Sequence, residues 1–202
     1  PPQDLKQLLT VLMTILGSDG GIDKHDYIKC LTASLSHASI DESYYSALAQ
    51  PLLSLVSADN TLLADVFDCF GALLKTSPIS MANDINSIMG LMFSGEQPLL
   101  DCAETLLTFV ETLPIAMAPY NQHAVNFCKA VLDKGIQEFI QDADIYDLSN
   151  NPEIMTLVHA HCASIKILAY LAPDEYYLHK LDSLLISYFT HEQFTAAESI
   201  SI

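Results

Sequence analysis

Ser18-Asp19…Lys29-Cys30-Leu31…Leu35, Ser57-Ala58-Asp59…Asp68-Cys69-Phe70…Leu74 and Ser94-Gly95-Glu96…Asp101-Cys102-Ala103…Leu107 line up on a shared cysteine. Cys30 and Cys69 stand 39 residues apart, and Cys69 and Cys102 stand 33 apart. Each time a polar turn precedes an apolar helix. A helical hairpin recurring at this period cannot bury its apolar face alone, so it stacks on its neighbours. The pattern predicts an all-α, right-handed α-solenoid of about four helix pairs. Solenoids bind other macromolecules along an extended face.

Apolar residues recur at helical spacing almost throughout. The expected helices are 4–16, 24–36, 44–56, 61–75, 81–93, 98–113, 118–140, 152–171 and 174–189, about nine in all. Gly17 stops the first. Pro51 lies inside the third, Pro78 closes the fourth, and Pro98 fits the first turn of the sixth. Asp174 caps the last, and the chain frays from Thr195. No segment shows strand alternation bounded by hairpin turns. The stretch 141–151 carries Asp142, Asp144 and Asp147 and reads either as a solvated loop or as a functional acidic insertion. The whole chain, 1–202, reads as a single helical-repeat domain. Its start at Pro1-Pro2, without methionine, suggests a fragment of a longer solenoid.

The chain has 25 acidic residues against 8 basic ones, all lysine, for a formal charge of −17. Without arginine forks or a basic patch, nucleic acid is an unsuitable partner, and so is an anionic membrane surface. The acidic excess suits either a basic protein segment or simple solubility. The five cysteines, Cys30, Cys69, Cys102, Cys128 and Cys162, sit within apolar helical patterns. They are expected to be buried, reduced thiols, as in a cytoplasmic or nuclear protein. No signal peptide and no membrane-spanning apolar run is read.

Ala47-Leu-Ala-Gln-Pro51-Leu-Leu-Ser-Leu-Val-Ser-Ala-Asp59 and the following Leu62 to Leu74 resemble a HEAT repeat. The features are Pro51 followed by Leu52, Leu53 and Leu55, a turn with Asp59, and a second helix with Val66, Gly71, Ala72, Leu73 and Leu74. The basic residue such repeats carry early in the second helix is missing, which leaves their inter-repeat Asp–Arg ladder without a partner here. The run 61–131 also resembles the uneven arrays of importin-β-type nuclear transport receptors. That resemblance implies binding of a basic cargo or a small GTPase on a curved inner face. A second resemblance lies in Asp19-Gly-Gly-Ile-Asp23-Lys-His-Asp26, which looks like the back half of an EF-hand loop or a TerB-like acidic turn. In the EF-hand register Asp19, Gly20 and Asp26 take the fifth, sixth and twelfth positions. Ile15 and Gly17 fall at the first and third, where oxygen ligands are required, so no metal is expected and Asp23 instead caps the next helix.

His159-Ala160-His161-Cys162 is the compact set of soft ligands. His159 and Cys162 share a helical face and His161 does not, so zinc is not expected. Ser54, Ser57 and Asp59 lack a nucleophile elbow, and no phosphate loop or dinucleotide fingerprint occurs. The reading is non-enzymatic, without cofactor or small-molecule substrate. Asp65 and Asp68, and likewise Asp101 and Glu104, are three residues apart and share a helical face. These four carboxylates are the candidate partner-binding residues, a negative strip on second helices. The alternatives are a solvated helix face, a compact metal-binding domain of EF-hand or TerB type, and a purely structural segment of a larger assembly.

Overall fold

The computed structural model describes residues 23–37, 42–95, 99–142 and 152–173, with positions 7, 10, 11 and 14. Most of the expected first helix, the glycine turn 17–22, the stretch 143–151 and the expected helix 174–189 lie outside them. The described residues form helices and turns without a strand. In chain order the helices are α1 (Lys24–His37), α2 (Glu42–Ala58), α3 (Leu63–Leu74), α4 (Pro78–Met92), α5 (Ala103–Thr112), α6 (Pro114–Met117), α7 (Asn121–Asp142) and α8 (Pro152–Leu171). Short 3-10 turns at Asn60–Leu62, Leu100–Cys102 and Ala118–Tyr120 lead into α3, α5 and α7. No helix among the described residues is long and apolar enough to cross a membrane.

The helix starts follow local chemistry. Asp23 caps α1, its carboxylate accepting the His25 backbone N–H at 2.9 Å. Asp59 caps the turn before α3, accepting the Thr61 backbone N–H at 3.0 Å and the Thr61 hydroxyl at 2.7 Å. Pro78 and Pro114 stand in the first turns of α4 and α6. This corrects the expectation that Pro78 merely closes the helix before it. A proline lacks the N–H that a first-turn residue does not need, so it opens the next helix as readily as it ends the last. Pro51 sits exposed inside α2, and the helix runs through it.

The chain divides into two compact units, 1–96 with 111–118, and 97–110 with 119–202. In the first, α3 is the centre. Its residues Leu63, Val66, Phe67, Cys69, Phe70, Gly71, Ala72, Leu73 and Leu74 are all buried, as expected of a helix that is apolar nearly all round. It packs on α1, α2 and α4, while α2 also packs on α4, and α4 on α6. Thus α1 lies on α3 and α2 lies on α4. In the second unit α7 packs along α8, and the turn Leu100–Cys102 packs on α8 as well. Phe109, Cys128, Val131 and Ile167 are among its fully enclosed side chains. Burying a side chain of the Leu or Phe class contributes roughly 1.5–3 kcal/mol, so these contacts stabilise each unit internally.

All five cysteines are free. Cys69, Cys102, Cys128 and Cys162 are buried, but Cys30 is exposed, contrary to expectation. The reason is helical register. The buried stripe of α1 is Tyr27, Ile28, Leu31 and Leu35, and position 30 falls off it. The residue of α1 that meets the Cys69 thiol is Thr32.

Candidate functional site

The four candidate carboxylates have different surroundings. Asp65, early in α3, has only 14% of its side chain exposed. Its Oδ2 lies 2.5 Å from His25 Nδ1, and its Oδ1 lies 3.8 Å from Lys29 Nζ, both on α1. His25 Nε2 also approaches the Thr61 hydroxyl at 3.5 Å. Asp65 therefore pins α3 to α1 and does not stand on an open face. Asp68, three residues on, is exposed. Asp101 and Glu104 are exposed too, and Glu104 Oε1 lies 3.7 Å from His159 Nδ1 on α8. Asp65 and Asp68 belong to the first unit, Asp101 and Glu104 to the second.

A second set of polar links joins α2 to α4. The Tyr45 hydroxyl donates to Asp84 Oδ2 at 2.8 Å, and the Ser80 hydroxyl donates to Glu42. Burial, followed by the adjacent Asp84 carboxylate, raises the Tyr45 pKa, so this hydroxyl stays protonated and keeps donating. The partners in His25–Asp65, Glu42–Ser80 and Tyr45–Asp84 are 40, 38 and 39 positions apart. These bonds connect α1 to α3 and α2 to α4.

One signal in the sequence escapes a cysteine-based alignment. Pro78-Ile79-Ser80-Met81-Ala82 recurs as Pro114-Ile115-Ala116-Met117-Ala118, 36 residues later. In both copies the isoleucine is exposed and the methionine fully buried. The same 36-residue step separates the starts of α2, α4 and α6 at Glu42, Pro78 and Pro114. It also carries Asp65 onto Asp101 and Asp68 onto Glu104.

The remaining candidates resolve into packing. His161 is wholly buried between α7 and α8 and hydrogen-bonds the Val131 backbone; burial lowers its pKa to about 4, so it is neutral. His159 is exposed and Cys162 buried, so the three soft ligands do not converge. No group of three or more His, Cys, Asp or Glu among the described residues could hold a metal ion. Asp26 lies exposed on α1 and Asp23 caps that helix; the earlier part of the EF-hand register, 15–22, falls outside the described residues. The Cys69 and Cys128 thiols are pushed up to about 12 by burial, too high for nucleophilic work. Ser54 and Ser57 donate their hydroxyls to the Gln50 and Leu53 carbonyls of their own helix. They line a wide, open groove of about 610 Å³ with Ser87 and Leu91, without a base beside them.

No protein-family model, curated protein or solved structure matches the chain.

Proposed function

We propose that the chain is a HEAT-like α-solenoid segment acting as a non-enzymatic scaffold for a basic protein partner. The observation that carries this reading is the common step of 36 residues. The starts of α2, α4 and α6, a five-residue motif and two pairs of carboxylates obey it, while the starts of α1, α3 and α5 step by 39 and 40. Polar links across 38 to 40 positions between α1 and α3 and between α2 and α4 support the same stacking. Asp68 in the first unit, and Asp101 with Glu104 in the second, are the carboxylates each unit offers to a basic segment, while Asp65 has a holding role. The −17 charge and absence of arginine favour a lysine- or arginine-rich segment. Within this reading, a nuclear-transport-receptor-like role rests on the resemblance alone.

The test is calorimetry of a synthetic lysine-rich peptide against the chain and the Asp68→Lys/Asp101→Lys variant over a salt series. Binding should weaken as salt rises, because exposed charges are screened over about 8 Å at physiological ionic strength. The variant should associate more slowly with little change in stability. Equal affinity for chain and variant at every salt concentration refutes the reading.

A further inference from the structure

We infer that Ile79 and Ile115 form an apolar anchor ridge for an amphipathic partner segment with basic flanks, an inference that rests on the scaffold reading. Ile79 is 77% exposed and Ile115 is 91% exposed. Each follows a first-turn proline, and in each helix the methionine two positions later is fully buried. Two positions along a helix is about 200° round its axis, so the buried methionine turns the isoleucine outward in both. Helices α4 and α6 pack on each other within one unit, and the motif is the same in both. The two side chains therefore take equivalent places on neighbouring helices, whose axes pack typically 8–10 Å apart. A single exposed isoleucine is ordinary; here the same exposed position recurs in two copies of one motif on helices that pack together.

The charges nearby select that partner. Glu42 is bonded to Ser80, the neighbour of Ile79, and exposed Glu111 stands four residues before Ile115, at the end of α5. Against them stands Lys75, four residues before Ile79. An apolar ridge with mainly acidic flanks complements a helix or strand that alternates branched apolar residues with lysine or arginine. Apolar contact would supply residence time and the carboxylates would supply approach.

The experiment compares two synthetic peptides of equal charge, one leucine–lysine amphipathic and one with serine replacing leucine. They are titrated into the chain and into Ile79→Ser/Ile115→Ser. Both positions are on the surface, so the variant should fold, and its melting curve checks this. The chain should bind the leucine–lysine peptide about tenfold tighter than the serine–lysine peptide, and the variant should lose that preference. Equal affinity for both peptides overturns the ridge and leaves the acidic reading standing. No binding of either peptide overturns both. Self-association of the chain that the variant abolishes means that a second copy covers the ridge, and also overturns the inference.

Discussion

Cys69 has no exposed surface, and it meets Thr32 across the α1–α3 contact. Cys30 shares its sequence surroundings yet lies in solvent. The two therefore differ in what a carboxylate would cost. Cys69→Asp should destabilise the fold on the order of 3–5 kcal/mol, because a buried charge would be left without a partner. Cys30→Asp should stay within about 0.5 kcal/mol, as surface changes do. Urea midpoints of the two variants check this, and a large loss at Cys30 would contradict the register. Asp65 teaches the same lesson. Its spacing from Asp68 was visible in the sequence, but its capture by His25 and Lys29 was not. Those partners come from 40 and 36 positions away and depend on how α1 and α3 pack.

At the scale of elements, α1, α3 and α8 were legible because their apolar spacing and caps agree. The start of α4 was not, since a proline between two helices can serve either side and periodicity does not decide. The cysteine alignment failed at Cys30 because a chemically distinctive residue need not hold a structurally fixed place, whereas Pro-Ile-x-Met-Ala marks a helix start. Helix α4 also offers a direct test of local energetics. Gly90 is exposed, and a methyl group there would meet nothing within 4 Å. Gly90→Ala should therefore stabilise by roughly 0.5–1 kcal/mol through helix propensity and the entropy of the unfolded chain. A fall in melting temperature would contradict its helical, open setting. The link between α2 and α4 is measurable as a coupling. A double-mutant cycle of Tyr45→Phe and Asp84→Asn should return about 1.5–3 kcal/mol, the worth of one partly buried hydrogen bond to a charged group. A coupling near zero would remove this bond from the stacking.

For the whole molecule, acid stability depends in part on His161. Burial holds its folded-state pKa at about 4, below the ordinary 6.5. The unfolded chain therefore takes up the proton first. This contribution is intact above about pH 6.5 and is lost progressively as pH falls toward 4, to a total on the order of 3 kcal/mol. His161→Gln should flatten the fall in urea stability between pH 7 and pH 5, and an unchanged slope would place the acid sensitivity elsewhere. The helical class and the acidic surface of the candidate site could be read in advance from composition and periodicity. The 36-residue step between the starts of α2, α4 and α6 became evident once the helix starts were known.

The central claim is that residues about one hairpin apart in sequence touch across stacked helices. Thr32 and Cys69, 37 positions apart, provide the direct measurement. With Cys30 replaced by serine, Thr32→Cys should form a disulfide with Cys69 when the reduced, urea-unfolded chain refolds under mild oxidation, before burial encloses the thiol, seen as a linked peptide by mass spectrometry. Stacking as described predicts the 32–69 crosslink in high yield with helical content retained. Its absence, or linkage of position 32 to another cysteine instead, would contradict the account.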